Sequence, residues 1–241
     1  MHRFFVKEFH DNQVVFAPEQ AHQITAVLRM EPGQPVVVLD NAGWEFDAVL
    51  ADVGRKRVTA VIQHQRPVTT EPASQLILYQ SLLKRDNFEW VLQKGTELGI
   101  SRFVPLITDR TVARPPKKTD RWQRILTEAA EQSRRGRIPE LAEPMALGQA
   151  VTNLPPHYVG LIPWEEEAAG SIGEFIGGKR GTAVALFIGP EGGFTAEEIS
   201  LAQQHNIHPI TLGQRILRAE TAAVTAVALT LYELGEMKRD T

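Results

Sequence analysis

The chain has no cysteine, which excludes disulfides, thiolate metal sites and a cysteine nucleophile together. Long apolar runs are missing too. The apolar part of "ETAAVTAVALTLYELG" falls short of the ~20 residues that span a bilayer, and "MHRFFVKEFHDNQ" has no signal-peptide core. A cytoplasmic protein with no membrane partner is the expectation. Neither a G-x-G-x-x-G fingerprint nor a loop ending in G-K-[ST] occurs, so redox and phosphoryl-transfer chemistry lack their usual loops. The seven histidines are scattered and no H-E-x-x-H spacing exists, so no metal is implied. His22 and His157 read as a helix-surface and a strand-start residue.

What is present is an ordinary core-forming composition, 43% hydrophobic and 23% charged over 241 residues, enough for one large domain or two smaller ones. The net charge of -3 hides a local imbalance. Between Arg110 and Arg137, nine basic residues (Arg110, Arg114, Lys117, Lys118, Arg121, Arg124, Arg134, Arg135, Arg137) face three acids (Asp120, Glu128, Glu131), a segment of +6. A charge run is usually a solvated face, but an excess of this size also suits phosphate binding.

From Gln34 to Gln65 the pattern is that of short strands: "QPVVVLD", the turn "NAG", "WEFDAVLADV", and "KRVTAVIQHQ" after Gly54. In the last, Val58, Ala60 and Ile62 alternate with Thr59, Val61 and Gln63. Before them "APEQAHQITAVLRM" reads as a helix with Pro18 near its start and Gly33 beyond its end. These features predict a small, mostly β module of about 65 residues. The stretch "RPVTTEPAS", Arg66 to Ser74, has linker composition and marks the domain boundary.

The remainder alternates strand and helix, which predicts a mostly parallel sheet covered on both faces. "QLILYQS" is a strand. "DNFEWVLQKGTELG" is a helix, with Asp86 and Glu89 spaced as a capping box, Gly99 as its stop, and Phe88, Val91, Leu92, Gly95 and Leu98 on one face. "RFVPLI", "HYVGLIP", "TAVALFIG" and "HPITLG" are further strands. Helices fall at "TDRWQRILTEAAEQSRRG", "SIGEFIG", "AEEISLAQQH", opened by a Thr195–Glu198 capping box, and from about Ala219 onward. Parallel sheets bind ligands at the carboxyl ends of their strands. Three loops leave such ends: "IPWEE" after Ile162, "GPEGG" after Ile188 and "LGQRILRAET" after Thr211. In "FIGPEGGF" (Phe187–Phe194), two adjacent glycines and a proline suit either a backbone held close to a ligand or a plain tight turn. Arg215 and Arg218 alone would read as loop decoration.

Taken together, "GPEGGFTAEEI" and "LGQRILRAETAAVTA" closely resemble the SPOUT methyltransferases, specifically the RsmE family that methylates N3 of a uridine in 16S ribosomal RNA of the small subunit. The resemblance extends to "LLKRDNFEWVLQKGTELGI", "EAAEQSRRGRIPE", "RW" (Arg121, Trp122) and "HQITAVLRMEPGQ", and spans nearly the whole chain in order. It implies an α/β protein with a PUA-like β-barrel over residues 1–70. A SPOUT domain over 73–241 would follow, with a parallel sheet and a trefoil knot that general topology rules argue against. It implies S-adenosyl-L-methionine as cofactor, held by Ile162, Gly189, Pro190, Glu191, Gly192, Gly193, Leu212, Gly213, Ile216, Leu217, Arg218 and Thr221.

It further implies RNA contacts by Arg3, Arg29, Lys84, Lys94, Arg110, Arg134, Arg135 and Arg137, with the assembled small subunit as substrate. A homodimer built partly on the final, alanine-rich helix is also implied. Uridine N3 carries a proton at neutral pH, so transfer requires its removal or stabilisation of charge on O2 and O4. Arg218 is the catalytic candidate for that stabilisation, against a salt bridge to Glu220 or a neighbouring helix end as the structural alternative. Glu128, Glu191 and Glu220 are unranked candidate bases. Arg85, Phe88 and Arg134 depart from the family's usual glycine, methionine and glycine. Ribose 2′-hydroxyl methylation, or RNA binding without catalysis, are the alternative functions.

Overall fold

The computed structural model describes residues 1–54, 57–84, 86–167 and 169–238; Arg85 lies outside them. The chain divides into two compact units, Met1–Glu71 with Ala130–Ile138, and Pro72–Ala129 with Pro139–Thr241. The sequence placed the segment around 130–138 wholly in the second domain. Its inclusion in the first unit is a long-range feature that local pattern does not carry.

The first unit holds β1 (Arg3–Phe5), β2 (Glu8–His10), β3 (Gln13–Val15), α1 (Pro18–His22), β4 (Pro35–Leu39), β5 (Trp44–Val53) and β6 (Val58–Pro67). Strand order is β1-β4-β5-β6-β3-β2. Strands β1 and β2 are therefore the two edges, yet only Val6 and Lys7 separate them. That connection reaches roughly 10 Å, whereas six flat strands would set the edges roughly 24 Å apart. The sheet must curl into a barrel. Alternation supplies its contents: Phe4, Val36, Val38, Ala48, Leu50, Val58 and Ala60 share the inner cluster with Ile24, and Phe4 meets Phe16 edge-to-face at 5.5 Å. Beyond α1 the helix widens over Gln23–Val27, with Leu28 N–H donating to Gln23 O, and Arg29 ends it in the left-handed region at φ 52°.

The opposite face of β1 and β4 presents Phe5 and Leu39, which cluster with Ala130, Val68 and Ile138. Glu71 fixes this patch. Its Oε1 accepts Gly136 N–H at 2.9 Å and Arg137 N–H at 3.2 Å, while Oε2 accepts Arg135 Nη2 at 2.8 Å.

The second unit contains β7 (Leu76–Ser81), α2 (Asn87–Leu98), β8 (Arg102–Ile107), α3 (Asp120–Gln132), β9 (Glu140–Leu141), β10 (Met145–Ala146), α4 (Leu147–Thr152), β11 (Tyr158–Pro163), α5 (Ile172–Ile176), β12 (Ala183–Ile188), α6 (Ala196–Gln204), β13 (Ile207–Ile210) and α7 (Ala219–Glu233). The last residues of α3 are those counted with the first unit. The sheet order is β10-β8-β7-β12-β11-β13, with β9 also on β8, and every pairing is parallel. Six consecutive buried residues in β7 and five in β12 fit strands covered on both faces.

Helix ends follow sequence chemistry with one correction. Gly99 stops α2 at φ 118°, its N–H and that of Ile100 both donating to Gly95 O. The expected Asp86–Glu89 capping box is not formed. Asp86 already has helical backbone angles (φ -82°, ψ -1°), and the Glu89 carboxylate is paired with Arg121 Nη2 at 2.6 Å. After α3, Arg135 N–H donates to Ala130 O, and Arg134 takes φ 63°. This is the closure in which glycine is favoured, which explains why arginine there is a departure; it costs about 1 kcal/mol.

Near the C-terminus Glu236, whose side chain is 4% exposed, closes the second unit. Its carboxylate accepts Ala73 N–H, Ser74 N–H and Ser74 Oγ. Glu236→Ala leaves two backbone donors unpaired, and urea unfolding of the variant is expected to show a loss of about 2 kcal/mol.

Candidate functional site

Strands β12, β11 and β13 lie side by side, so the loops that leave their carboxyl ends meet. They enclose an open pocket of about 200 Å³. Backbone pairing continues past the strands: Trp164 N–H donates to Ile210 O at 3.0 Å, and Thr211 N–H to Gly170 O at 2.8 Å. Beneath the sheet's end, Tyr79 stacks on Phe187 with ring centroids 4.4 Å apart. Burial raises the Tyr79 phenol's pKa above its ordinary value.

The middle loop is shaped by its glycines. Gly193 N–H donates to Pro190 O at 3.0 Å, with Gly193 at φ 69°. A Cβ at Gly193 would lie 2.8 Å from Glu165 Oε1, and one at Gly189 would lie 3.2 Å from the Phe194 ring. Gly193 favours glycine for its backbone angle and Gly189 for its close approach to the Phe194 ring. Downstream, the expected capping box of α6 is present: Thr195 Oγ1 accepts Glu198 N–H at 3.2 Å, and Glu198 Oε2 accepts Thr195 N–H at 2.9 Å. The other oxygen of Glu198 accepts Asp109 N–H at 3.0 Å. The Glu197 carboxyl is held below its ordinary pKa, first by its own backbone N–H and then by the Thr195 hydroxyl, which suits a helix N-terminus.

Of the residues expected around a cofactor, Gly189, Pro190, Glu191, Gly192, Gly193, Leu212, Gly213, Ile216 and Leu217 line this pocket. Ile162, Arg218 and Thr221 are not among its lining. Ile162 points into the core on β11, and Thr221 lies on the exposed side of α7. Arg218 is the exposed N-cap residue of α7. Its carbonyl accepts Ala222 N–H, but its side chain makes no hydrogen bond or ion pair among the described residues, so the alternative pairing with Glu220 is not formed. Trp164, Glu165, Ile188, Phe194, Arg215 and Ala222 also line the pocket and were not singled out as binding residues. The quoted "IPWEE" loop was the available signal for Trp164 and Glu165. Among the described residues no His, Asp or Glu cluster could hold a metal, and no helix is long and apolar enough to cross a membrane.

The expected RNA residues have diverse surroundings. Arg29 and Arg134 are exposed. Lys84 is exposed, and its backbone N–H donates to Glu191 Oε1 at 3.0 Å. Lys94 pairs with Glu97, and Arg3 with Glu45. Arg137 donates to Ala42 O. Arg135 is 4% exposed and engaged by Glu71. Arg110 Nη1 donates to Gly192 O at 2.7 Å and Phe194 O at 3.3 Å.

A glycine-walled pocket at three adjacent parallel strand ends, on a chain with a separate β-barrel unit, defines the class. Residues 69–231 match the RNA methyltransferase domain family, and residues 16–63 the RNA methyltransferase PUA domain family. The chain is 37% identical to ribosomal RNA small subunit methyltransferase E of Synechocystis sp., covering 89% of this chain and 71% of that one. It is 29% identical to the Bacillus subtilis protein of that name over the full length of both. The crystal structure of the Neisseria gonorrhoeae protein of that name, bound to S-adenosyl methionine, superposes with a TM-score of 0.88 at 30% identity, covering 96% of this chain and 97% of that one. A Legionella pneumophila methyltransferase with bound S-adenosyl methionine gives 0.83 at 32% identity, covering 95% and 96%. The chain belongs to the ribosomal RNA small subunit methyltransferase E family.

Thr195→Ala removes one half of the α6 cap and is expected to cost about 1 kcal/mol, read as a lower urea midpoint with an unchanged slope.

Proposed function

We propose that this protein uses S-adenosyl-L-methionine to methylate N3 of a uridine in 16S ribosomal RNA. The observation that carries the reading is the pocket at Gly189–Gly193 and Leu212–Leu217, in a chain whose relatives of known structure hold S-adenosyl methionine. The residues fit that group. A Cβ at Gly189 would press on the Phe194 ring at 3.2 Å and Gly193 holds φ 69°, so the main chain itself forms this wall, as suits close approach to an adenine edge. Ile162, Arg218 and Thr221 belong to the same proposed site as its surroundings. When bound, the cofactor supplies an electrophilic methyl group.

The chain's own work is to place uracil and manage its N3 proton. Arg218, exposed and without a partner at the mouth of α7, stabilises the charge that gathers on O2 and O4 once N3 is deprotonated. Glu191 lines the pocket, whereas Glu128 is exposed on α3 outside that lining. That placement favours Glu191 over Glu128 as proton acceptor.

The domain assignment, 1–70 as an RNA-binding PUA-like module and 73–241 as the catalytic SPOUT domain with its trefoil knot, is part of this reading. So are RNA contacts by Arg3, Arg29, Arg134 and Arg137 in the first unit and by Lys84 and Lys94 in the second. The substrate is the assembled small subunit in the cytoplasm. A second copy of the chain covers α7. Its residues are apolar or small almost all round, and Leu229 and Tyr232 remain exposed, as does Thr221, a pattern that calls for a partner surface.

Two measurements test the reading. Wild-type protein with S-adenosylmethionine and undermodified small subunits is expected to yield 3-methyluridine on mass spectrometry of the digested RNA. A ribose-methylated nucleoside would move the target while keeping the site, and no product would leave RNA binding alone. Gly193→Val, which forces a β-branched residue into a left-handed backbone angle of φ 69°, is expected to abolish the calorimetric signal for S-adenosylmethionine while the circular dichroism spectrum stays native.

A further inference from the structure

Arg110 stands in the basic segment, but its guanidinium faces the pocket loop. The turn that presents it follows β8 and is tight: Thr111 N–H donates to Thr108 O at 3.0 Å, and Thr108 N–H to Thr111 Oγ1 at 2.9 Å. Asp109 N–H is fixed to Glu198. From this anchored turn the Arg110 stem lies along Gly192, so close that a Cβ there would sit 3.3 Å from both Arg110 Cβ and Cδ. Nη1 ends on the carbonyls of Gly192 and Phe194. Both carbonyls lie between the end of β12 and the start of α6, in neither strand ladder nor helix. Without the guanidinium, both lose this partner, and the ties at Glu191, Pro190 and Thr195 are left to hold a segment whose glycines have most conformational freedom.

We propose that Arg110 is a positioning residue of the cofactor loop, and not a contact to RNA. It holds the Gly189–Phe194 backbone in its binding shape by hydrogen bonding Gly192 O and Phe194 O. Charge-assisted bonds of this kind are the stronger class. The neighbouring Arg114, Lys117 and Lys118 are exposed and make no hydrogen bond or ion pair among the described residues, so the same loop keeps other cations available to phosphate. This assignment rests on the cofactor reading of the pocket.

The test uses the full chain with Arg110→Met, which keeps much of the stem and removes the donors. S-adenosylmethionine is titrated by calorimetry in the absence of RNA. Amide hydrogen exchange of the 189–195 peptide is followed in the ligand-free protein. Binding of a fluorescent 16S ribosomal RNA fragment is measured across a salt series. The expected result is a Kd for S-adenosylmethionine raised about tenfold, with faster exchange confined to 189–195 and the RNA affinity and salt slope unchanged. Confinement of the exchange change to that peptide separates positioning from a general loss of stability. An unchanged Kd and exchange rate, together with weaker RNA binding and a shallower log-salt slope, would overturn the proposal and return Arg110 to the RNA. Wild-type protein that binds no S-adenosylmethionine would overturn the cofactor reading and this proposal with it.

Discussion

The binding face depends on the Glu198 carboxylate, which is only 7% exposed and divides its two oxygens between two loops. One accepts Thr195 N–H and so completes the helix cap; the other accepts Asp109 N–H from the turn after β8. A buried carboxylate is costly unless its lone pairs are met, and here the N-terminus of α6 and two backbone donors meet them. The consequence is geometric. The glycine loop cannot drift from the sheet at its far end, and the turn carrying Arg110 is held where it can reach that loop. Lys84 N–H on Glu191 adds a third tie, from the strand between them in the sheet order.

Much of this was legible in the sequence because the controlling signals are local. The Thr195–Glu198 spacing, the Gly99 stop and the buried runs of β7 and β12 each state their structure within a few residues. Strand alternation in β6 likewise gave the barrel's inner face. What escaped was either short or non-local. Strands β1 to β3 have three residues each, below the length at which alternation can be recognised. The Asp86–Glu89 box had correct spacing but lost its glutamate to Arg121, a competition that spacing cannot reveal. The pairing of 130–138 with the first unit depends on Glu71, more than sixty residues away in sequence from Arg135.

The site shows the same division. "GPEGG" and "LGQRIL" alone allowed a plain turn and a decorated loop; it was the family resemblance across both that pointed to a pocket. Glu165 was harder to see, because its importance lies in approaching Gly193 from another loop. Ile162 and Thr221 flank the pocket's loops but do not line it: Ile162 lies in the core, and helical rotation turns Thr221 outward. Knowing a loop is thus different from knowing which of its side chains face the pocket.

Charge is the clearest case in which structure changes the meaning of composition. Of the nine cations between Arg110 and Arg137, Arg110, Arg121, Arg135 and Arg137 are engaged by protein acceptors. Arg114, Lys117, Lys118, Arg124 and Arg134 make no side-chain hydrogen bond or ion pair among the described residues. A cation already bonded to a carbonyl or carboxylate must give up that bond to reach a phosphate, which offsets most of the gain. The segment's +6 therefore overstates what it can offer a polyanion. Three of the unengaged cations, Arg114, Lys117 and Lys118, follow the turn whose Arg110 is bonded to the glycine loop. Free cations and a loop-bonded one thus share one short stretch of chain while using different side chains. Each set can be altered by substitution without removing the groups of the other.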